Sequence, residues 1–278
     1  MIATDLDGTL VRTDGTVSER TRRALRRATA AGAEIVFVTA RPPRYVDGLG
    51  LDSGLVATAV CGNGAIVYDV ASRTILAARE LPLPVARAVA GALAGALPGI
   101  GFAIETGHAV LCEPAFTRRF TAEAGAEIPV PVLADLWSAG PITKLLAWCA
   151  DVDVDRMLAV AGPVVRGAAE VTHSGGSGLL EVSAPGVTKA GTLAALCAAR
   201  AIAPAEVVAF GDMPNDLTIL GWAGTAYAMG NAHPTVRAAV DRHTAGNDED
   251  GVARAIEKLF PTAPAPHPGV PASTISNG

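Results

Sequence analysis

The sequence predicts an α/β fold, in which a Rossmann-like core with a parallel sheet carries an inserted α+β domain. Over the first 80 residues, and again after residue 185, short β-branched runs alternate with helical patterns, which is the order of βαβ units. Between these two stretches the alternation is less regular. Half of the residues are apolar, so the 278-residue chain can bury a core of this size.

The first half of the core is predicted to begin with a strand at residues 1–4 and a helix at 18–31, where Ser18 is a typical N-cap residue. Residues 34–39 form a run rich in β-branched residues and residues 55–61 repeat the pattern, which is typical of strands buried on both faces of a parallel sheet. We therefore expect a right-handed βαβαβ unit.

The alternation resumes in the second half of the core. Helices are predicted at residues 188–201 and 215–220, and strands at 206–210 and 225–229. The inserted domain is predicted to mix both kinds of element. Its strands are expected at 101–106, 109–112, 142–148 and 178–182, and its helices at 84–97, 115–124 and 153–161.

Joints rich in proline and glycine, at residues 81–84 and 184–186, predict the domain boundaries. We expect a core formed by residues 1–80 and 186–260 and an inserted domain formed by residues 81–185. The last segment, 261–278, is rich in proline without periodicity and is predicted to be disordered.

Composition and charge argue against several classes of protein. The net charge of −5 argues against a nucleic-acid partner, and the chain has no run of about 18 uncharged apolar residues that would predict a membrane span. No signal peptide precedes the first acidic residues, and the four cysteines form no CxxC pair, so we expect reduced thiols in a cytoplasmic protein. The oligomeric state stays open. The first strand begins almost at the first residue, which raises the question of a misplaced start codon.

Two carboxylates follow directly on the first predicted strand. Asp5 and Asp7 are two residues apart, so in extended backbone they face the same side at the carboxyl end of the strand, where open α/β sheets bind ligands. Two adjacent carboxylates favour a cation between them, and Mg²⁺ prefers oxygen ligands. Gly8 allows a tight exit from the strand, and Thr9 offers a hydroxyl and an amide to phosphate oxygens. The alternative is a turn that merely ends the strand.

More polar residues follow other predicted strands or open a helix. Thr39 ends the second strand of the core, and Lys189 lies in the first turn of a predicted helix. Asp212, Asn215 and Asp216 come just after the strand at 206–210. Taken singly, each has a simpler explanation, namely a helix N-cap, an exposed lysine or a turn. Together they predict a polar site at one edge of the sheet.

These residue types together suit phosphoryl transfer. An aspartate that attacks a phosphate ester meets a like charge, which a divalent cation and an ammonium group offset. A second acid must protonate the leaving alcohol and later activate the water that cleaves the aspartyl-phosphate. The sequence supplies a candidate for each of these parts.

The sequence resembles the haloacid dehalogenase superfamily of phosphohydrolases. The four motifs of that superfamily are matched in order by DLDGTL at Asp5, TAR at Thr39, VTK ending at Lys189 and GDMPND at Gly211. Further segments resemble its Cof-like branch, namely NGA at Asn63, LEV at Leu180, AYAMGNA at Ala226 and NDEDGVA at Asn247. The resemblance covers nearly the whole chain except the middle of the insertion and the tail.

The resemblance implies a role for each motif residue. Asp5 is expected to be the nucleophile and a metal ligand, and Asp7 the general acid and base that binds the metal through its backbone carbonyl. Asp212 is expected to complete the Mg²⁺ site. The phosphoryl group is expected to be held by Thr39, Lys189 and Asn215, with Asp216 in a supporting position. Residues 81–185 correspond to the α/β cap of the Cof-like branch.

The activity that the resemblance implies is a Mg²⁺-dependent phosphatase acting on a small phosphate monoester, such as a sugar phosphate or a nucleotide. A sugar phosphomutase is the main alternative, because it uses the same nucleophile and returns the phosphoryl group to the sugar. A receiver-like signalling protein also phosphorylates an aspartate, but it needs only one small domain and fits the long insertion poorly.

Substrate specificity is expected to depend on residues that close over the core. The candidates are Arg41 and Arg44 at the core rim and Lys144, His108 and Glu181 in the insertion. An ordinary surface or inter-strand role is the alternative for each of them. Lys144 stands out because it is one of only three lysines in the chain and lies on an apolar strand.

Overall fold

The computed structural model of the protein describes residues 1–50, 55–116, 127–138, 140–150, 152–175 and 178–261. These residues form two β-sheets with helices packed on them. The segment at 261–278, predicted to be disordered, lies outside the described residues except for Pro261. Most of the helix predicted at 115–124 lies outside them as well.

The described strands, in chain order, are β1 (Ile2–Thr4), β2 (Ile35–Val38), β3 (Thr58–Cys61), β4 (Ile66–Asp69), β5 (Thr74–Ala78), β6 (Gly101–Glu105), β7 (Val110–Cys112), β8 (Glu127–Pro129), β9 (Lys144–Trp148), β10 (Glu170–Thr172), β11 (Leu179–Ser183), β12 (Val208–Gly211) and β13 (Thr225–Ala228). The described α-helices are α1 (Glu19–Ala30), α2 (Pro43–Gly48), α3 (Leu83–Ala96), α4 (Leu133–Leu136), α5 (Val154–Val165), α6 (Lys189–Ala199), α7 (Leu217–Trp222), α8 (Pro234–Ala239) and α9 (Gly251–Leu259).

The first sheet has the strand order β13-β12-β1-β2-β3-β4-β5. The five strands from β13 to β3 are parallel, and β4 and β5 add an antiparallel extension. Helix α1 packs against α9, and α6 packs against α7. The predicted α/β class is therefore confirmed. The sequence pattern does not predict β5, because four of its five residues are exposed and no buried run marks it.

The second sheet has the strand order β10-β11-β9-β6-β7-β8 and is antiparallel except for the pair β7–β8. In the chain it lies between β5, which belongs to the first sheet, and α6, which packs against β3 of that sheet. Helices α3 and α5 pack against each other, and α5 also packs against β10 and β11. The edge strands β8 and β10 have only three residues each, too few for a recognisable periodicity.

Two helix starts have side-chain N-caps, of which the one at Ser18 is predicted from the sequence. The side chain of Ser18 accepts a hydrogen bond from the backbone N–H of Thr21, and that of Thr188 accepts one from Gly191. The cap at Thr188 fixes the start of α6 and so places Lys189 in its first turn. This position carries the lysine to the carboxyl edge of the first sheet.

The two sheets are held together by apolar and polar contacts. Buried apolar side chains from both sheets share one large cluster, and a second, smaller cluster on the second sheet contains Ala103, Val110, Cys112, Phe116 and Leu146. The backbone N–H of Leu81 donates to the carbonyl of Ile142 at 2.7 Å. On another side, one carboxylate oxygen of Asp155 lies 3.0 Å from His173 Nε2 and the other lies 3.1 Å from His233 Nε2. Because His233 precedes α8 and the other two residues belong to the inserted segment, these contacts tie the second sheet to the first.

The four cysteines, Cys61, Cys112, Cys149 and Cys197, are all buried. Burial raises the pKa of Cys61 and of Cys112 to about 12, so these two thiols stay protonated at neutral pH.

None of the described helices has the length and apolar character needed to cross a membrane.

Candidate active site

Three neighbouring strands of the first sheet end at the same level. Thr4 of β1 pairs with Phe37 of β2 on one side and with Phe210 of β12 on the other. Asp5 therefore follows the central strand, and its backbone N–H still donates to the carbonyl of Phe210 at 3.1 Å. Because parallel strands share one carboxyl edge, the residues that follow β1, β2 and β12 meet there, as the sequence predicts.

Lys189 lies at the centre of this edge. Its Nζ donates to Asp5 Oδ1 at 2.7 Å and to Asp216 Oδ1 at 2.6 Å, and all three side chains are buried. Burial alone would lower the pKa of Lys189, but the charges of Asp216 and Asp5 hold that pKa above its ordinary value. Lys189 is therefore a buried ammonium group shared by two carboxylates.

Asp216 also orders the loop after β12. Its Oδ2 accepts hydrogen bonds from the backbone N–H groups of Asp212 and Met213, both at 3.0 Å. These bonds satisfy two backbone donors in a tight turn and fix the direction of the Asp212 side chain. Asp212 Oδ1 in turn accepts a bond of 2.6 Å from the hydroxyl of Thr9.

Carboxylate oxygens of Asp5, Asp212 and Asp216 lie within 4.8 Å of one another, and all three residues are buried. Gly8 is pressed against this group. A Cβ at that position would lie 2.4 Å from Asp212 Oδ2, and the backbone φ of Gly8 is +74°. Only glycine fits such a close approach in a left-handed conformation.

The acidic group carries more negative charge than its surroundings balance. Burial, and then the charges of Asp216 and Asp212, raise the pKa of Asp5 well above its ordinary value, against the opposing charge of Lys189. Burial and the charge of Asp216 raise the pKa of Asp212 to about 7. Buried carboxylates with raised pKa values and an all-oxygen donor set fit a hard divalent cation.

The side chain of Asp7 is bound by Arg41 and Tyr45. Its Oδ2 accepts a bond of 3.0 Å from Arg41 Nε, and its Oδ1 accepts bonds of 3.2 Å from Arg41 Nη2 and 3.0 Å from the hydroxyl of Tyr45. The guanidinium of Arg41 also lies over the ring of Tyr45, 4.5 Å from its centroid. The Asp7 carboxylate is 41% exposed.

Two predicted phosphate-binding residues flank Asp5. Thr39 is fully buried, and its hydroxyl accepts a bond of 3.0 Å from the backbone N–H of Arg41. Asn215 Nδ2 donates to Asn63 Oδ1 at 3.0 Å. The other end of this amide, Asn215 Oδ1, is buried and has no hydrogen-bond partner among the residues that the structure describes.

A cavity of about 270 Å³ separates this edge from the second sheet. Asp5, Asp7, Thr39 and Asn215 line it from the core. Apolar and polar side chains line it on the side of the second sheet, namely Val110, Leu146, Leu179, Glu105, Lys144, Ser174 and Glu181. Because residues of both sheets line the cavity, a ligand there contacts both.

Four of the five predicted substrate residues line this cavity. Each of these four side chains is bound to another side chain of the protein. Arg44 donates to both oxygens of Glu105, at 2.9 and 2.7 Å, and Arg41 binds Asp7. Lys144 and Glu181 form a buried ion pair. His108 differs from the other four. It lies in the exposed turn at the tip of the β6–β7 hairpin and is not part of the cavity wall.

Three further residues, Asn63, Tyr45 and Ser174, contact predicted site residues and have no role predicted from the sequence. A signal for Asn63 was present, because it follows β3, the strand next to β2 at the same carboxyl edge. Ser174 could not be found in this way, because its place depends on how the second sheet is set against the first.

The sequence profile of the haloacid dehalogenase-like hydrolases matches residues 2–256. The 5-amino-6-(5-phospho-D-ribitylamino)uracil phosphatase YitU of Bacillus subtilis is 28% identical over 94% of this chain and 97% of its own length. The pyridoxal phosphate phosphatase YbhA of Escherichia coli is 26% identical over 92% and 97%. Among solved structures, a haloacid dehalogenase-like hydrolase from Bacteroides thetaiotaomicron has a TM-score of 0.72 at 27% identity, covering 93% of this chain and 98% of the other. The resemblance seen in the motifs is confirmed, and the chain belongs to the haloacid dehalogenase-like hydrolases.

Proposed function

We propose that this protein is a Mg²⁺-dependent phosphatase that hydrolyses a small phosphate monoester through a phosphorylated Asp5. The observation that carries the proposal is the buried group of Asp5, Lys189 and Asp212 at the edge of the cavity. Relatives named as phosphatases of small metabolites support the same reaction class.

In the first step, a carboxylate oxygen of Asp5 attacks the phosphorus atom. The new bond joins this oxygen to phosphorus, and the bond between phosphorus and the alcohol oxygen breaks. The alcohol oxygen keeps the electron pair and takes a proton from Asp7, which lines the same cavity. Asp5 is then an acyl phosphate.

In the second step, water attacks the phosphorus atom and Asp7 takes up a proton of that water. The bond between phosphorus and Asp5 breaks, and the carboxylate leaves with its electron pair. Inorganic phosphate is released, and both aspartates return to their starting state. Asp7 thus acts first as an acid and then as a base, and its partial exposure gives water access to it.

The other residues of the site stabilise negative charge. The Lys189 ammonium, the Thr39 hydroxyl and the Asn215 amide donate to phosphoryl oxygens, and each is held in place by a partner in the protein. The carboxylates of Asp5 and Asp212 and the carbonyl of Asp7 would hold Mg²⁺, which would offset the negative charge of the transferring group. Asp216 holds Lys189 and the loop of Asp212 in position.

We also propose a division of labour between the two halves of the molecule. Residues 1–80 and 186–260 form the core that transfers the phosphoryl group, and residues 81–185 form a cap that recognises the leaving group. The mixed wall of the cavity, with Leu146 and Val110 beside Ser174 and Glu105, supports a small leaving group that has both an apolar part and hydrogen-bonding groups.

A panel of phosphate esters tests the proposal. The purified protein should release inorganic phosphate from an aryl phosphate and from one or more small metabolite esters in the presence of Mg²⁺. Exhaustive chelation should reduce turnover by more than about 100-fold. Turnover that survives chelation would remove Mg²⁺ from the proposal. A need for a bisphosphate activator, with the phosphoryl group returned to a sugar, would favour the mutase instead.

A further inference from the structure

A chain of hydrogen bonds crosses from the second sheet to the phosphate side of the site. It begins at Lys144 on β9, whose Nζ donates to Glu181 Oε2 on β11 and to the carbonyl of Ala40 at 2.7 Å. Asn63 Nδ2 donates to the same Glu181 oxygen at 3.1 Å, and Asn215 Nδ2 donates to Asn63 Oδ1 at 3.0 Å. The four side chains that form these hydrogen bonds, those of Lys144, Glu181, Asn63 and Asn215, are all buried. We call this chain the relay.

Donors and acceptors have fixed places along the relay, because the carboxylate of Glu181 can only accept hydrogen bonds. Ser174 donates to Glu181 Oε1, and Lys144 donates to Oε2. Burial alone would raise the pKa of Glu181, but the charge of Lys144 and the bonds from Lys144 and Ser174 hold that pKa below its ordinary value. An ionised Glu181 requires Asn63 to present its NH₂ group.

The orientation passes on to Asn215. Because the Asn63 NH₂ group faces Glu181, the Asn63 carbonyl oxygen faces Asn215 and must receive a donor there. The NH₂ group of Asn215 supplies it with one of its two hydrogens. The second hydrogen of this NH₂ group is not used by Asn63, and Asn215 lines the cavity together with Asp5.

The backbone around Asn63 is held tightly. Asn63 has a φ of +57°, and its N–H donates to the carbonyl of Thr39 at 3.0 Å. A Cβ at Gly64 would lie 2.3 Å from the carbonyl oxygen of Thr188, and Thr192 Oγ1 donates to the Gly64 carbonyl at 2.7 Å. The turn is therefore wedged between the loop of Thr39 and the start of α6, so the Asn63 side chain has little freedom.

We propose that Asn63 and Glu181 are positioning residues that orient the Asn215 amide toward the phosphoryl group. This inference rests on the proposed function, in which Asn215 binds phosphate. Because Glu181 and Lys144 belong to the second sheet, the phosphate side of the site is complete only when that sheet is seated on the core. Lys144 and Glu181 then act on the phosphoryl group through Asn215, and the leaving group is recognised by other residues of the cavity.

A double-mutant cycle with inorganic phosphate as the probe tests this inference. Asn63→Gly removes the side chain and tolerates the positive φ, and Asn215→Ala removes the amide itself. In the presence of Mg²⁺, we expect calorimetry to show about tenfold weaker phosphate binding for Asn63→Gly, and at least as large a loss for Asn215→Ala. The double variant should bind phosphate no more weakly than Asn215→Ala alone.

The control is Thr192→Val, which removes a hydrogen bond to the same turn and leaves the relay intact. It should lower the unfolding temperature and keep the phosphate affinity of the wild type within about twofold. If Asn63→Gly fails to fold, Glu181→Gln replaces it in the cycle, because an amide at position 181 no longer fixes the direction of Asn63.

Two results would overturn the inference alone: wild-type phosphate affinity in the folded Asn63 or Glu181 variant, or a double variant whose loss is the product of the two single losses. Failure of the proposed function gives a different result. The wild-type protein would then bind no phosphate with Mg²⁺ and hydrolyse no aryl phosphate, which would overturn both proposals.

Discussion

Lys189 and Asp5 lie 184 residues apart in the chain and form a buried ion pair, with 2.7 Å between Nζ and Oδ1. The same ammonium group binds Asp216 at 2.6 Å. One cation thus balances two carboxylates, and Asp212 adds a third within the same group. A site built in this way is short of positive charge until a further cation binds, and the first three predictions below follow from that shortage.

Removal of the shared ammonium should harm both stability and turnover. Lys189→Met leaves Asp5 and Asp216 buried without their counter-charge, which costs on the order of 3–5 kcal/mol in the free energy of unfolding. We expect turnover of an aryl phosphate to fall by at least about 100-fold. Chemical unfolding and a phosphate-release assay measure the two effects. Lys258→Met, which changes an exposed lysine of α9, is the control and should change neither. Wild-type turnover in Lys189→Met would contradict the role given to this residue.

Gly8 should be needed for cation binding as well as for the backbone. Gly8→Ala puts a Cβ against Asp212 Oδ2, so we expect the Mg²⁺ concentration for half-maximal activity to rise by about tenfold or more. Gly15→Ala is a matched control. Gly15 has a similar φ of +80° and no atom within 4 Å of the added Cβ, so only the backbone strain of about 1–2 kcal/mol should appear. Equal Mg²⁺ requirements in the two variants would show that the contact with Asp212 is not what matters.

The metal-free protein should lose stability as the pH rises. The pKa of Asp212 is about 7 in the folded chain, against 3.8 as the ordinary value, so between these values the folded state holds a proton that the unfolded state has released. The contribution of Asp212 to the free energy of unfolding is fully present below about pH 4 and is lost as the pH rises through about 7. The raised pKa of Asp5 acts in the same direction.

In the presence of a chelator we therefore expect the free energy of unfolding to be about 2–3 kcal/mol higher at pH 5 than at pH 8. Mg²⁺ should restore stability most strongly at pH 8, where the carboxylates are ionised and free to bind it. Chemical unfolding at the two pH values, with and without Mg²⁺, measures both effects. Greater stability at pH 8 under chelation would contradict the charge distribution described for this site.

Much of the site could be predicted because its residues follow strands of one parallel sheet. The continuous apolar runs before Asp5 and Thr39 mark strands that end at a common edge, and Asp212 follows another such run. Parallel strands share that edge whatever their exact neighbours are. Sequence pattern alone was therefore enough to bring these residues together.

The contacts that join the two sheets could not be predicted in the same way. The pairing of Lys144 with Glu181, and of Glu181 with Asn63, depends on the register of β9 and β11 and on how the second sheet sits on the first. The periodicity of apolar residues along the sequence predicts neither the register of the two strands nor the packing of the two sheets. For the same reason, His108 was a reasonable candidate on sequence and lies in an exposed hairpin turn.

Lys144 should matter for the whole site and not for one class of substrate. Its buried pairing with Glu181 and its bond to the Ala40 carbonyl hold the relay to the loop after Thr39. Lys144→Met leaves Glu181 without its buried counter-charge and should lower the free energy of unfolding by about 3–5 kcal/mol. Turnover of every ester, including an aryl phosphate, should fall by a similar factor. A change in the ranking of natural esters, with unchanged turnover of the aryl phosphate, would instead mean that Lys144 recognises the leaving group.

The most direct test of the central claim is to look for a phosphoryl group on Asp5. The variant Asp7→Asn lacks the base that activates water, whereas an aryl phosphate has a leaving group that departs without a proton. After mixing with Mg²⁺ and an aryl phosphate, acid-quenched Asp7→Asn should carry a near-stoichiometric phosphoryl group, which peptide mass spectrometry should locate on Asp5. The double variant Asp5→Asn, Asp7→Asn should carry none. An Asp5→Asn enzyme that hydrolyses the ester at the wild-type rate, or a trapped phosphoryl group on another residue, would contradict the mechanism.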